Sequence, residues 1–555
     1  MMSQHGGAEL FVSDAHGEHA AFSHVLRSGC GRIRACIDIL FEHRLDEAAR
    51  AQLATLVYYP HEKIARLAAA PSDDAWAREA CDRVSALCQV LAESSEGGAE
   101  QGACAEEPGK NPDGNEDVLS KLEALCLRAQ RLAVDRVHML GDVYDRGPAP
   151  ELIMDELAAH PAVDIQWGNH DVVWMGAALG QQGCIAHVVR NCARYGNMGI
   201  LDAYGIDYAP LKELAATAYK DDPCKAFGLK VNPGLSPEEL ALNEKIQKAM
   251  AIIQFKVEAQ LIDQYPSFGL EDRKLLGKID RATNTVVVDG VEYPITDTVF
   301  PTVDPNDPYR LTAEEQKAID SLSQAFMNCE RLQRHIGLFL EKGSLYSIDG
   351  NMLLFHACVP LNGDGTLKEV DIFGETLKGK ALFDAVDRHV RAAFSAEDPE
   401  SRKRGRDLLW YLWLGQGSPL FAKSKMATFE IYYIADKAAR KEAKNAFYTL
   451  IEDERVMAGI FEDFGMDPTT SRIVCGHVPV KVKDGEDPVK CAGRVLMIDG
   501  GMSLAYQATT GIAGFALVKD GESLQLNYLE PFCSHDEALA SNAELSFTAR
   551  EIAPL

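Results

Sequence analysis

The chain has 555 residues, of which 46% are hydrophobic and 25% are charged, so it can form several domains or one large domain with insertions. Its formal net charge of −27 disfavours nucleic acid and anionic membranes as partners, because both require a basic surface. The N-terminal residues show no basic segment followed by an apolar one, and the longest apolar run, residues 408–414, is too short to span a bilayer. We therefore expect neither a secretory signal nor a membrane span.

The 14 cysteines include no Cys-x-x-Cys pair. This spacing argues against a zinc ribbon and against a disulfide scaffold. The pattern is typical of a reducing compartment, and we expect a cytoplasmic location.

The first third of the chain alternates between strand and helix patterns. Apolar residues at three- and four-residue spacing, as at Leu45, Ala49 and Leu53, predict helix over most of residues 20–92. A stretch rich in Gly, Glu, Asn and Pro then predicts a flexible acidic linker over residues 93–117. The other predicted elements here are strands at 10–13, 136–140 and 163–167 and helices at 118–131 and 148–160.

The rest of the chain is predicted to be mainly helical from 200 to 345, with long segments near 236–265 and 311–341. Later elements are helices near 380–395 and 446–464 and strands at 352–355, 472–475, 494–498, 514–518 and 524–529. Strands that alternate with helices predict an α/β fold.

Two other segments are less informative. Residues 374–380 fit most of a phosphate-binding loop, but Ala381 stands where a Ser or Thr must reach Mg²⁺. The basic run at 402–406 is interpreted as a solvated turn, with an anionic effector site as the alternative, and the apolar run at 408–414 as core or subunit contact.

Polar clusters follow five of the predicted strands, where side chains from separate strands can converge in one crevice. Each cluster alone is weak evidence for a functional site, since a single His is more often a buried core residue than a ligand. Together they supply carboxylate, imidazole and amide oxygen, the ligands expected for Mn, Fe, Zn or similar metals. The clusters are Asp14-x-His16-Gly17, Gly141-Asp142-x-x-Asp145-Arg146-Gly147, Gly168-Asn169-His170-Asp171, Phe355-His356 and Gly476-His477-Val478-Pro479.

The order of these clusters resembles the signature of the calcineurin-like metallophosphoesterases. More narrowly, the sequence resembles the bacterial class III fructose-1,6-bisphosphatases, and the resemblance extends from residue 11 to about 518. The narrower match depends on the segments at 22–27, 54–60, 418–421, 426–430 and 498–514. The resemblance implies a β-sandwich flanked by helices, with large helical insertions.

The resemblance also implies a dinuclear site in which two metal ions activate a water molecule. Manganese is the expected metal, although the ligand types would also admit Fe, Zn, Co or Mg. The implied ligands are Asp14 and His16 for one ion, Asp142 as the bridge, and Asn169, His356 and His477 for the other.

Three further residues receive catalytic roles from the resemblance. His170 would be the general acid that protonates the leaving alkoxide, and Asp145 would orient its imidazole. Arg146 would hold phosphate oxygens through its planar group of donors. The alternative, that Asp145 and Arg146 only cap the helix that follows, is disfavoured by the presence of all five clusters.

The spacing of the clusters departs from that of protein phosphatases. His16 and Asp142 are 126 positions apart, and His170 and His356 are 186 positions apart. We expect these gaps to hold helical insertions at 31–117 and 201–344. The core would then comprise residues 8–30, 118–200 and 345–530, and a C-terminal tail would follow at 531–555.

The second phosphate-binding Arg of protein phosphatases has no clear match in this chain. Candidates to bind the sugar-side phosphate are therefore Lys423, Lys425, Lys481 and Lys483, each of which is equally compatible with a solvated surface. A basic cleft inside an acidic chain is a requirement of this hypothesis.

The expected activity is hydrolysis of the 1-phosphate of fructose 1,6-bisphosphate, a gluconeogenic step, in a chain that could form homo-oligomers. One alternative keeps the chemistry and changes the substrate to a phosphoprotein or a dinucleoside polyphosphate. Another is a non-catalytic regulatory relative, which the complete set of expected ligands disfavours.

Overall fold

The structure is a computed structural model that describes residues 7–68, 75–95, 117–231 and 234–555. Most of the predicted linker, residues 96–116, lies outside the described residues. The strands are β1 Glu9–Val12, β2 Arg136–Met139, β3 Val163–Gln166, β4 Ile279–Asp280, β5 Thr285–Val288, β6 Val291–Pro294, β7 Gly343–Ser344, β8 Tyr346–Asp349, β9 Met352–Phe355, β10 Val370–Ile372, β11 Glu375–Leu377, β12 Arg472–Cys475, β13 Val489–Lys490, β14 Val495–Met497, β15 Phe515–Asp520, β16 Ser523–Leu529 and β17 Phe547–Glu551.

The fold is mixed α/β, as the sequence predicts. The α-helices are α1 His19–Ser28, α2 Arg32–Phe41, α3 Glu47–Tyr58, α4 Pro60–Ala68, α5 Ala75–Ser95, α6 Val118–Ala133, α7 Pro150–Ala159, α8 Asn169–Ala178, α9 Gln182–Tyr195, α10 Gly199–Tyr204, α11 Ala209–Ala218, α12 Pro237–Gln264, α13 Ala313–Asn328, α14 Glu330–Lys342, α15 Gly379–Ser395, α16 Pro399–Leu414, α17 Thr428–Tyr433, α18 Phe447–Leu450, α19 Glu454–Asp463, α20 Leu504–Thr510 and α21 His535–Ser541.

Two mixed sheets lie at the centre of the molecule. The larger has the order β17-β16-β15-β1-β2-β3-β7, and its strands β1, β2, β3 and β7 are parallel. The other has the order β13-β14-β12-β9-β8, with β9, β12 and β14 parallel. Strands such as β1 and β9 are buried along their whole length, as expected of parallel strands covered on both faces.

The parallel strands of each sheet end at the same edge. Asp14, Asp142 and Asn169 follow β1, β2 and β3, whereas His356 and His477 follow β9 and β12. Residues of both sheets belong to one continuous hydrophobic core. The convergence of strand ends that the sequence predicts is therefore confirmed within each sheet.

Two smaller cores lie outside this centre. One is built mainly from α2 to α6 and is joined by Ala538 and Leu539 of α21. The other packs the antiparallel sheet β4-β5-β6 against α12 and α17. The sequence did not predict this small sheet inside the largely helical region 200–345.

Several local predictions need correction. The basic run at 402–406 is not a turn but part of α16, where Asp398 caps the helix and Glu400 pairs with Arg404 at i,i+4 spacing. The helix predicted near 311–341 is broken at Cys329 into α13 and α14. The helix predicted near 446–464 is likewise divided into α18 and α19.

The interpretation of the apolar run as core is confirmed. Residues 408–414 are core, with no more than 6% of any residue exposed. In the segment that resembles a phosphate-binding loop, Lys380 forms an ion pair with Asp384 at 2.6 Å on the exposed face of α15. Among the described residues no single helix is both long and apolar enough to cross a membrane, although the bent pair α8 and α9 passes that test when taken together.

The fold contains a fully buried ion pair whose removal tests the packing of α12 against α13. Lys256 Nζ lies 2.6 Å from Glu315 Oε2, and neither side chain has exposed surface. Lys256→Met should lower the free energy of unfolding by about 3 kcal/mol, because Glu315 would be left as an uncompensated buried charge. The measurement is urea denaturation followed by circular dichroism.

The matched control is Lys317→Met, which removes an ion pair with Glu213 whose side chains are both about two-thirds exposed. This variant should stay within about 0.5 kcal/mol of the wild type. Equal effects of the two substitutions would contradict the assignment of a buried pair.

Candidate metal centre

The two sheets are tied together at the ends of their parallel strands by hydrogen bonds that cross between loops. The Asp14 amide donates to the Gly141 carbonyl oxygen at 2.9 Å. His356 Nδ1 lies 2.7 Å from the Leu140 carbonyl oxygen, which fixes the tautomer so that Nε2 faces the site. These contacts bring residues that are hundreds of positions apart in sequence around the Asp142 carboxylate.

Two groups of metal-binding atoms share that carboxylate. On one side, His16 Nε2 lies 3.6 Å from Asp142 Oδ2 and 3.7 Å from Asp14 Oδ1. On the other side, His356 Nε2 lies 3.4 Å from Asp142 Oδ1. Two sets of side chains have the spacing of a potential cation site, His16 with Asp142 and His170, and Asp142 with His356 and His477, so Asp142 belongs to both. Asp14 lies beside the first set.

Asn169 closes the second group. Its Oδ1 lies 2.9 Å from His477 Nδ1 and 3.1 Å from His356 Nε2. The structure thus brings together all six residues that the sequence predicts as metal ligands.

The unsatisfied atoms of these residues fit a pair of cations. Three buried side-chain atoms that face one another in the site have no hydrogen-bond partner among the described residues: Asp14 Oδ1, His16 Nε2 and Asp142 Oδ2. Buried polar atoms without a partner are costly, and divalent metals bound by carboxylate and imidazole would satisfy all three.

The electrostatics of the site favour the neutral, ligand form of two of the three predicted histidine ligands, whereas at His356 the Asp142 carboxylate outweighs burial and raises the pKa to about 10. Burial holds the pKa of His16 and of His477 well below the usual range, so both rings are neutral and able to bind a metal. Burial alone would raise the pKa of Asp142, but His356 and His170 outweigh it and hold that pKa well below its usual value. Burial raises the pKa of Asp14, which a nearby cation would counteract.

Backbone strain is concentrated at the same place. Six of the nine predicted site residues adopt positive φ, in the left-handed region that non-glycine residues rarely occupy. They are Asp14, His16, Asp142, Asp145, Arg146 and His477. Such strain persists where surrounding contacts enforce it, typically at functional sites.

The predicted catalytic residues form a second line of contacts beside Asp142. His170 Nδ1 lies 2.7 Å from Asp145 Oδ2, and Trp174 Nε1 donates to the other carboxylate oxygen at 2.9 Å. Arg146 Nη2 lies 3.2 Å from His170 Nε2, which is also 4.0 Å from Asp142 Oδ2. The imidazole is therefore held between Asp145 and the candidate metal site.

Sequence reasoning did not assign a role to Asp171, although it lies in one of the five clusters. Its carboxylate accepts hydrogen bonds from the amides of Asp142, Val143 and Gly168 at 2.8–2.9 Å. The fourth residue of the Gly-Asn-His-Asp cluster thus fixes the backbone that carries Asp142.

Sequence reasoning also missed His187 and Trp413, which line the far side of His170. The indole of Trp413 packs on both rings, with centroid distances of 3.9 Å to His187 and 4.9 Å to His170. Neither residue lies in a recognisable motif, so only the packing of α9 and α16 against α8 reveals them.

The four lysines predicted to bind the sugar-side phosphate lie in different environments. Lys423 is close enough to affect the pKa of His477 and of Tyr506, and it forms an ion pair with Glu442 at 2.8 Å. Lys425 is paired with Asp289 and Glu430. Lys483 Nζ donates to the Ala508 carbonyl oxygen, and the Lys481 amide donates to Glu486.

The α/β fold and these donors define a protein of the metal-dependent phosphatase class. The chain belongs to the family described as Firmicute fructose-1,6-bisphosphatase, whose profile matches residues 1–96 and 115–553. No solved structure is significantly similar to it.

Curated relatives agree with this membership. A protein named fructose-1,6-bisphosphatase class 3 from Bacteroides fragilis is 42% identical over 572 residues, which cover 98% of this chain and 86% of the relative. Proteins with the same name from Clostridium botulinum and Clostridium novyi are 41% identical, and the matches cover 97% of this chain and 85% of each relative.

Gly168 offers a direct test of how closely the backbone confines Asp142. Its φ of −89° and ψ of 165° suit any residue, yet a Cβ there would lie 2.2 Å from both the amide nitrogen and Oδ1 of Asp142. Gly168→Ala should therefore displace that carboxylate and weaken binding of divalent metal by about 10-fold or more. Metal affinity is measured by competition with a chromophoric chelator.

Gly337→Ala is the control, because a Cβ at this position in α14 would meet nothing within 4 Å. It should bind metal as the wild type does. Unchanged metal affinity in Gly168→Ala would show that the carboxylate of Asp142 does not hold the metal.

Proposed function

We propose that the protein hydrolyses the 1-phosphate of fructose 1,6-bisphosphate, yielding fructose 6-phosphate and inorganic phosphate in gluconeogenesis. The observation that carries the proposal is the pair of potential cation sites that share Asp142, in a chain whose curated relatives are named fructose-1,6-bisphosphatase class 3. We further propose that the two main sheets form the sandwich of the calcineurin-like metallophosphoesterases, that the enzyme is cytoplasmic, and that it can form homo-oligomers.

The six ligands would hold two divalent cations, with Mn²⁺ as the proposed metal. Bound as a pair, such ions activate water and neutralise phosphoryl oxygens in an in-line displacement. Asp14 and His16 would hold one ion, Asn169, His356 and His477 the other, and Asp142 would contact both.

His170 is the proposed general acid. Its Nδ1–H donates to Asp145, so Nε2 faces Asp142 and accepts from Arg146 Nη2 at 3.2 Å. As a general acid the ring would carry a proton on Nε2 in place of that hydrogen bond. The Nε2 proton would pass to the sugar O1 as the phosphorus–oxygen bond breaks.

Arg146 is proposed to bind oxygens of the phosphate that is transferred. Its guanidinium lies beside His170 and over the ring of Tyr506 at 4.6 Å. The Asn197 side chain holds the Arg146 carbonyl oxygen at 2.6 Å, which fixes the loop that carries the guanidinium. Bidentate donation from such a group suits a phosphate.

The proposal is tested first by phosphate release from fructose 1,6-bisphosphate with added Mn²⁺, beside a phosphopeptide and a dinucleoside polyphosphate. We expect turnover of the sugar bisphosphate alone, abolished by a chelator. Turnover of one of the other substrates instead of the sugar bisphosphate would support metal-dependent phosphate hydrolysis but contradict the role in gluconeogenesis.

In the same assay, His170→Gln should lower kcat by about 100- to 10,000-fold while metal content is retained, because the proton donor is lost and the six ligands remain. The control is His389→Gln, since His389 packs on Phe373 and contacts no site residue. Wild-type kcat in His170→Gln would remove the general acid from the mechanism. If the wild-type protein releases phosphate from none of these substrates, the hypothesis of a non-catalytic regulatory relative would be favoured.

A further inference from the structure

One face of α9 leads away from the proposed general acid. His187 lies beside His170, with ring centroids 6.4 Å apart, and its Nε2 is 3.9 Å from Asp145 Oδ2. Arg190 and Arg194 follow at three- and seven-residue spacing, which places all three side chains on the same helix face. Arg194 is thus about 10 Å along the helix from His187.

Arg190 has its donors occupied inside the protein. Its guanidinium donates to Gln254 Oε1 at 2.6 Å, to the Tyr432 hydroxyl at 3.1 Å and to His187 Nδ1 at 3.0 Å. These bonds fix the tautomer of His187, so that its Nε2–H points toward Asp145. Arg190 therefore positions neighbouring residues.

Arg194 differs from Arg190 because it is only partly buried. Its guanidinium hydrogen-bonds to Tyr432, whose ring lies 5.6 Å from the guanidinium carbon. No carboxylate oxygen of the described residues lies within 4 Å of Arg146, Arg190 or Arg194. Three arginines without an ion pair are unexpected beside an active site in a chain with a net charge of −27.

Tyr506 connects Arg194 to the metal centre. Arg146 lies over its ring, and its hydroxyl interacts with that of Tyr195, the residue next to Arg194. Arg146, Lys423 and Arg194 all act on the Tyr506 hydroxyl and lower its pKa. Positive charge therefore surrounds this phenol, which borders the predicted phosphate-binding Arg146.

Partly buried positive charges that lack an internal partner cost stability unless a ligand supplies the opposite charge. We propose that Arg194, together with Tyr195 and Tyr506, forms the subsite for the second phosphate group of the substrate, the one that is not hydrolysed. This inference deepens the proposed function and rests on it.

Arg194 suits this role better than Lys423, which the sequence suggested. Lys423 already forms an ion pair with Glu442 at 2.8 Å, so its ammonium is less available for a direct contact with phosphate. A guanidinium also offers five donors in a fixed plane, which match phosphate oxygens in pairs. Lys423 then contributes long-range attraction, and Arg194 makes the direct contacts.

The subsite is tested with substrates that carry one or two phosphates. Arg194→Gln should lower kcat/KM for fructose 1,6-bisphosphate by about 10- to 100-fold, the equivalent of lost charge-assisted hydrogen bonds. The loss should appear as an increase in KM. Competitive inhibition by fructose 6-phosphate should weaken by the same factor. Turnover of fructose 1-phosphate, which has no second phosphate, should not change.

Arg194→Lys provides a second variant that keeps the charge and loses the planar donors, so it should show a smaller loss with the same substrate selectivity. The control is Arg404→Gln on the exposed face of α16, which removes an ion pair with Glu400 and a contact with the ring of Phe373 at 5.9 Å, neither of which is a site residue. This control should leave all constants unchanged.

The outcomes distinguish a wrong assignment of Arg194 from a wrong proposed function. Equal losses on both sugar phosphates, or no loss on either, would overturn the assignment of Arg194 while the proposed function stands. Failure of the wild-type protein to hydrolyse fructose 1,6-bisphosphate would overturn the proposed function and the subsite together.

Discussion

The position of the Asp142 carboxylate is the constraint on which the rest of the site depends. The residue adopts a left-handed conformation at the end of β2, with φ of 57°. Asp171 holds its amide at 2.8 Å, and its Oδ1 accepts the His170 amide at 2.9 Å. Gly168 has no side chain, which allows this close approach, since a Cβ there would lie 2.2 Å from Oδ1 of Asp142. The strained backbone is thus fixed by hydrogen bonds from α8, the helix that also carries Asn169 and His170.

The proposed cations and the phosphate groups of the substrate would neutralise charges in the site that are not fully balanced by the described residues. On one side of His170, buried carboxylate and imidazole atoms lack partners that cations would supply. On the other side, neither Arg146 nor Arg194 forms an ion pair with a carboxylate of the described residues, and phosphate groups would supply the opposite charge. The proposed cations and substrate are complementary to these two regions, so their binding should stabilise the folded protein. A locally positive cleft can therefore exist within an acidic chain.

Much of the site could be predicted from the sequence because its ligands lie directly after strands, where short clusters keep their spacing. Asp14, Asp142 and His356 were found in this way, and the strands before them are confirmed. Arg194 and His187 could not be found, because they lie in α9 among residues of ordinary helical composition. Their roles arise from the packing of α9 against α8, which no local pattern encodes.

Other parts of the fold were mispredicted for local reasons. The basic run at 402–406 was interpreted as a turn because its charges were considered without the Asp398 cap and the partners at i,i+4 spacing. The sheet β4-β5-β6 was missed because its short strands lie in the region 200–345, which the long helical segments on either side led us to assign mainly to helix. Unlike the strands that precede the site residues in the main sheets, these are not followed by a recognisable polar cluster.

Anomalous X-ray diffraction from crystals grown with Mn²⁺ would test the central claim most directly. We predict two anomalous peaks about 3.5–4 Å apart, one on each side of the Asp142 carboxylate. One peak should lie beside Asp14 and His16, and the other beside Asn169, His356 and His477. A single peak, or peaks that do not contact Asp142, would contradict the account of a shared dinuclear centre.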